Sequence, residues 1–359
     1  MKAVLLAGGF GTRLRPLTVN TPKPIVPIFD RPFLYHQIDV LKRLPEIDEV
    51  ILSLNYQPDR IRAQVGDGAG AGLPIRYVVE PDPRGTGGAI KYSEPHLDGT
   101  TIVFNGDVLT GIDLGALVEL HRDRRARATI VLTPVDDPAA YGVVETAPDG
   151  RVLRFVEKPE PDEIRCNTIN AGIYVLEPET FDRIPPDTKY SIERSYFPSL
   201  VERGETFVAH VERGYWRDIG TPGSYRQAHR DILEGRCAAP PFAGAAAGNR
   251  VVADGATLEA GARVEGPCYV APGATVRRGA RIGAGSVVGR SVVVGADARI
   301  DGAILWPDTV VGDGALVREA IVGHRCRIGA HAELGPSVVL GDDSHVTPYT
   351  RAGYQESAP

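Results

Sequence analysis

From Val251 onward the chain repeats every six residues, and that period leaves few folds open to it. Aliphatic side chains recur at Val252, Leu258, Val264, Val270, Val276, Ile282, Val288, Val294 and Ile300, with small residues four or so positions later, as at Ala256, Ala262, Ala274, Ala280 and Ser286. The pattern breaks around Trp306 and resumes at Val322, Ile328, Leu334, Leu340 and Val346. A hexapeptide period marks a parallel β-helix, in which no coil buries enough surface alone and the coils must stack. Three hexads per coil imply about five coils over residues 251–346. Open strand edges at the end coils suit an oligomerisation or regulatory platform, so a homo-oligomer is expected. Residues 237–250 are rich in Ala, Gly and Pro and read as a linker, and 347–359 as a C-terminal tail.

Residues 1–236 carry a different pattern. Short apolar runs (Ala3–Ala7, Glu49–Leu54, Ile75–Val79, Thr101–Phe104) alternate with helical spacing, as in Phe33–Leu44 and Asp113–Arg125. Such alternation implies an α/β domain with a Rossmann-like, mostly parallel sheet. Ligands of such sheets bind beyond the carboxyl ends of the strands. The first run breaks into Gly8-Gly9-Phe10-Gly11-Thr12, where glycines let backbone N–H groups approach an anion. Arg13, Arg15 and Lys23 follow at once, so the stretch suits a nucleoside triphosphate; an ordinary strand-to-helix turn is the plainer alternative.

Two aspartates could serve phosphates through Mg²⁺. Asp107 follows a strand on an Asn-Gly turn, and Asp218 follows Trp216-Arg217. Asp107 could equally cap its turn, and Asp218 the helix starting near Pro222. The composition removes other classes. A net charge of -6 and no basic run argue against nucleic-acid binding. No apolar run reaches the roughly 18 residues of a membrane span, and no leader-like segment opens the chain. Cys166, Cys237, Cys268 and Cys326 form no ligand cluster. A soluble, cytoplasmic protein with free thiols is expected.

The order LAGGFGTRLRPLT…TPKP, Gly85-Thr86-Gly87-Gly88, Asn105-Gly106-Asp107, Tyr141-Gly142-Val143-Val144, Phe155-Val156-Glu157-Lys158-Pro159, Asn170-Ala171-Gly172-Ile173-Tyr174 and Trp216-Arg217-Asp218-Ile219-Gly220 resembles the sugar-1-phosphate nucleotidyltransferases over essentially the whole chain. Within them it is most similar to the GDP-mannose-forming branch, which Ile321–Gly329 also resembles. The resemblance implies a left-handed β-helix and a reaction between two small molecules, an NTP and a sugar 1-phosphate. The sugar phosphate oxygen would attack the α-phosphorus in line and release pyrophosphate, without a covalent enzyme intermediate. It further implies that Leu6, Ala7, Gly8, Gly9, Gly11, Thr12, Arg13, Gly85 and Thr86 hold the nucleotide. Arg13 and Lys23 would neutralise the reacting phosphates, and Asp107 and Asp218 would hold Mg²⁺. Lys158 would grip the sugar phosphate alongside Asp107, with Glu157, Asn170 and the Gly142 backbone bonding sugar hydroxyls. Structural alternatives stay open: a surface pair for Glu157 and Lys158, a strand entry for Asn170, a strand kink for Gly142.

Glu80 bears on the base. Relatives using UTP or dTTP commonly carry glutamine at what corresponds to this position. A carboxylate only accepts hydrogen bonds, and guanine alone offers N1–H and a 2-amino group side by side. GTP is therefore expected, with Asp82 able to play the same part. The alternatives are UTP or dTTP with glucose 1-phosphate, or a non-catalytic sensor of nucleotide sugar, although Arg13, Lys23, Asp107, Lys158 and Asp218 are all present. Acyl transfer by the β-helix would need His324, His331 or His345 as general base, and none has an evident orienting carboxylate.

Overall fold

A computed structural model describes residues 1–242 and 249–353. The middle of the expected linker and the end of the expected tail lie outside the described residues. The chain divides into two compact units, Met1–Phe10 with Leu34–Arg217, and Gly11–Phe33 with Asp218–Pro359.

The first unit is built on a nine-stranded sheet. Lys2–Leu6 lies between Glu49–Leu54 and Thr101–Asn105 and runs parallel to both, with Ile75–Val79 parallel on the far side of Glu49–Leu54. Ala3, Val4 and Leu5 are fully buried, as a strand covered on both faces requires. The shared direction sets the ends of these strands, and the residues just past them, along one edge. The other half of the sheet is mostly antiparallel. Thr168–Leu176 runs against Thr101–Asn105 and Ala128–Pro134, and Gly142–Thr146 pairs with Val152–Glu157 as a hairpin. Phe207–Val211 closes that side, parallel to Ala128–Pro134. Phe197 anchors the core beneath, stacked on Phe207 at 5.2 Å and edge-on to Tyr174 at 5.0 Å.

The second unit contains the β-helix, as three parallel six-stranded sheets. Six coils rather than about five are present among the described residues, because the stretch around Trp306 still supplies strands at Ile304–Leu305, Val310–Val311 and Leu316–Arg318, and Arg351–Ala352 adds one past the expected end. Inside, Val270, Val276, Ile282, Val288, Val294 and Ile300 are fully buried, as the period anticipates. Cys237, Ala239 and Phe242, at the start of the stretch read as linker, are also buried. Helix Pro222–Leu233 precedes the solenoid. Its N-cap is Thr221, in a reciprocal capping box with Ser224, so Asp218 does not cap it. All four cysteines are free, and no helix among the described residues is long and apolar enough to cross a membrane.

Candidate active site

At the carboxyl edge of the parallel strands, turn residues pack on strand ends. Leu6 lies level with Ser53 and Asn105, and the Gly106 N–H donates to the Leu6 carbonyl at 3.0 Å. A Cβ on Gly106 would sit 2.4 Å from that oxygen, so only glycine lets the Asn105-Gly106-Asp107 turn close on the first strand. Asp107 is half-buried at its tip. Ala7 donates its N–H to the Ser53 carbonyl, Gly8 backs onto Asn55, and Gly9 faces open space. The glycine loop is thus pinned at its start and open at its middle, as a loop that receives an anion must be.

Glu80 is buried at this edge. Its Oε1 accepts from Ser53 Oγ at 2.9 Å and its Oε2 from the Arg84 N–H at 2.9 Å, while Asn55 Nδ2 donates to its carbonyl. Gly85 has φ 71°, and a side chain there would meet the Tyr190 carbonyl at 2.8 Å. That carbonyl instead receives the Gly87 and Gly88 N–H groups. Thr86 donates to Glu193 at 2.8 Å and accepts from the Ile192 N–H.

The sugar-site candidates cluster on the antiparallel half. Glu157 pairs in register with Gly142, and a Cβ on Gly142 would lie 2.8 Å from Glu157 Oε2. The missing side chain gives the carboxylate its place. Burial first, then the negative Glu193, push the Glu157 carboxyl above its ordinary range, against Lys158 and Arg194. Lys158 is exposed and takes φ 53°, a left-handed conformation unfavourable for a side-chain-bearing residue. Asn170 accepts the Gly172 N–H and donates to the Tyr174 hydroxyl, both at 2.9 Å, which shapes a bulge where Gly172 (φ 73°) faces Asn105. Trp216 donates its indole N–H to the Ala171 carbonyl at 2.8 Å and packs edge-on to Tyr141. Three separated sequence motifs therefore meet.

In the second unit, Gly11 has φ 61° and its carbonyl accepts the Thr18 hydroxyl at 2.7 Å. A Cβ on Gly11 would lie 3.4 Å from Lys23 Cβ. Thr12 and Arg13 form the following turn, Thr12–Leu14, with both side chains exposed. A Cβ on Gly220 would stand 2.7 Å from both an Arg13 guanidinium nitrogen and Asp218 Oδ2. Gly220 thus opens the space in which this cation and this carboxylate stand.

Among the described residues no three His, Cys, Asp or Glu side chains gather into a cation cage. Mg²⁺ needs no such cage, since it takes one or two carboxylates and completes its shell with water and substrate phosphates. Asp107 and Asp218 each offer a carboxylate, one in the first unit and one in the second.

Several residues here escaped sequence reasoning. Ser53 and Arg84 hold Glu80, Glu193 joins Thr86 to the surroundings of Glu157, and Asn105 and Tyr174 support the bulge at Asn170. Only Asn105, inside a recognisable turn, carried a local signal.

Residues 2–235 match the family model described as Nucleotidyl transferase, and residues 264–352 that described as GMPPB C-terminal domain. The chain is 43% identical over 268 residues to the Mycobacterium tuberculosis protein named mannose-1-phosphate guanylyltransferase, covering 74% of this chain and 73% of that one. It is 33% identical to the UTP--glucose-1-phosphate uridylyltransferase of Synechocystis, over 91% of this chain and 88% of that one. Among solved structures, HddC from Yersinia pseudotuberculosis complexed with GMP-PN is similar at TM-score 0.55 and 33% identity, covering 64% of this chain and 99% of that one.

Proposed function

Because the chain belongs to the nucleotidyl transferase family, we propose that it transfers a guanylyl group from GTP to mannose 1-phosphate, giving GDP-mannose and pyrophosphate. The observation that carries the choice of base is Glu80. A buried carboxylate, held on both oxygens by Ser53 and Arg84, keeps one further acceptor site on each. Guanine N1–H and its 2-amino group match that pair, whereas uracil, thymine and adenine present no two adjacent donors.

Two polyanions must meet in line, so the protein's work is placement and charge neutralisation. Leu6, Ala7, Gly8, Gly9, Gly11 and Thr12 would receive the triphosphate with Gly85 and Thr86. Arg13 and Lys23 would offset charge on the α-phosphate and the leaving pyrophosphate. Lys158 would hold the phosphate of the attacking sugar, with Glu157, Asn170 and the Gly142 backbone accepting from or donating to its hydroxyls. Asn170 keeps one N–H and one lone pair for this after its bonds to Tyr174 and Gly172. Asp107 and Asp218 are each proposed as a Mg²⁺ ligand, and bound Mg²⁺ would neutralise phosphate oxygens.

The β-helix is proposed to mediate a homo-oligomer. Val252 and Leu258 on its first coil are 36% and 43% exposed, whereas Val270 and Val276 one coil later are fully buried. The deciding experiment for the activity is pyrophosphate release across GTP, ATP, UTP and dTTP, each with mannose and glucose 1-phosphate. Turnover with GTP and mannose 1-phosphate is expected to exceed every other pair. A preference for UTP or dTTP with glucose 1-phosphate would replace this reading, and no turnover with any pair would leave the sensor.

A further inference from the structure

Lys23 sits on a segment whose flanks are held by residues two to three hundred positions further along the chain. Before it, the Thr21 hydroxyl donates to Asp342 Oδ2 at 3.3 Å, and the other oxygen of Asp342 accepts the His324 N–H. After it, Tyr225 on helix Pro222–Leu233 donates its hydroxyl proton to the Pro27 carbonyl. The Trp306 indole N–H donates to that same Tyr225 oxygen at 2.9 Å. His229, one turn further on the helix, accepts the Phe29 N–H on Nε2 at 3.1 Å. Its Nδ1 lies 3.0 Å from the Tyr225 carbonyl, so Nδ1 carries the proton. Phe29 itself has φ 59°, a genuine outlier for a bulky side chain. Its ring is trapped against His229, Phe242 and Tyr269 at 5.1 to 5.4 Å. Strain of this kind persists only where surroundings over-determine it.

Trp306 stands where the neighbouring coils carry glycine: Leu305 pairs with Val288 and Val322, so Trp306 lies level with Gly289 and Gly323. Tyr269 pairs with Val287 eighteen residues on, but Val287 pairs with Ile304, and Ile304 with Ile321, at seventeen. The solenoid drops a residue in the two coils that bracket a tryptophan buried against Tyr225 rather than in its own core.

We propose that Trp306 is a positioning residue for the transfer reaction: through Tyr225 it fixes the Pro27 carbonyl, and with it the segment that aims Lys23. The inference rests on the reading of Lys23 as a contact to the reacting phosphates. A misplacement of about 1 Å costs on the order of a hundredfold in rate where charge must meet a reacting centre.

The test uses the full-length protein with Trp306→Phe, Tyr225→Phe and Lys23→Ala, alone and combined, at a temperature where all keep the wild-type circular dichroism. Trp306→Phe retains a ring but loses the N–H. It is expected to lower kcat about tenfold with the KM for sugar phosphate unchanged, and to speed amide exchange in the peptide covering residues 22–33. In the Lys23→Ala background it should cost nothing further, because the group it aims is already gone. The same factor lost in both backgrounds would overturn the proposal, as would unchanged exchange in that peptide. If Lys23→Ala alone keeps wild-type turnover, the reading of Lys23 fails; exchange then decides for Trp306, faster exchange supporting its hold on the segment and unchanged exchange refuting it.

Discussion

Ser53 donates its hydroxyl proton to Glu80 across 2.9 Å, from the end of one parallel strand to the residue just past the next. The bond orients the carboxylate without consuming it. Glu80→Gln would place an amide N–H₂ where guanine offers its own donors, so kcat/KM for GTP should fall about a hundredfold, with ATP and UTP affected much less. Ser53→Ala leaves the carboxylate charged but free to turn, and a loss of about three- to tenfold, again confined to GTP, is expected. Steady-state rates with the four nucleotides check both. Equal losses on all four would mean that Glu80 clamps its loop and reads no base.

Lys158 faces a simpler trial. Its left-handed backbone, φ 53°, presents the side chain immediately past the strand that carries Glu157. Lys158→Ala should raise the KM for mannose 1-phosphate by about tenfold or more, as loss of one charged hydrogen bond would, and leave that for GTP within about twofold. Equal shifts in both constants would remove Lys158 from the sugar phosphate.

Asp107 stands on a turn that only Gly106 allows to close. Replacing it with Asn keeps the shape and removes the charge a divalent ion requires. Turnover should drop at least about a hundredfold, and the Mg²⁺ concentration for half-maximal rate should rise. Near-normal turnover with an unchanged Mg²⁺ dependence would exclude it as a ligand.

Acid should loosen the second unit. Burial pushes the His229 imidazole down to about 4, whereas in an unfolded chain it titrates near 6.5. Between those values the unfolded chain binds the extra proton, so stability rises with pH across the window. The contribution is complete above about pH 6.5 and is lost as pH falls toward 4, by about 3 kcal/mol over the whole range. Burial lowers His324, in the same unit, in the same direction. Urea midpoints at pH 7.5 and 5.0 should therefore differ in the wild type and differ less in His229→Gln, whose amide can still accept the Phe29 N–H but does not titrate. Identical differences would place the pH dependence elsewhere.

What was legible in the residues was what repeats or sits together. The buried aliphatics from Val264 to Ile300 follow from a six-residue period, and the glycine loop follows from its composition. The hairpin Gly142–Thr146 with Val152–Glu157 shows a limit, since apolar alternation marks a strand but not the direction of its neighbour; connection length sets that. Ser53 with Glu80, Thr86 with Glu193 and Tyr225 with Trp306 lie 27, 107 and 81 residues apart. Each member looks locally like an ordinary strand, helix or coil residue, and only closure of the chain gives it a partner. Gly220 is the reverse case: a plain turn glycine in sequence, it is the opening beside which Arg13 and Asp218 stand.

The same long-range pairing changes what removal of the β-helix should do. From the sequence alone, truncation after Arg236 leaves every candidate site residue in place and should alter only the assembly size. In the folded chain, however, Phe29 packs on Tyr269 and Phe242, Asp30 pairs with Arg290 at 3.0 Å, Thr21 bonds Asp342, and Tyr225 loses its Trp306 donor once the solenoid is gone. The segment bearing Arg13 and Lys23 would keep its bonds to Tyr225 and His229 but lose these. Truncated protein should fall in mass by light scattering, as loss of the platform demands, and should also lose about tenfold or more in kcat through misplaced cations. Retained mass per particle beyond the deleted residues would refute the platform. Full turnover in a monodisperse truncated protein would show that the N-terminal segment holds Lys23 in place unaided.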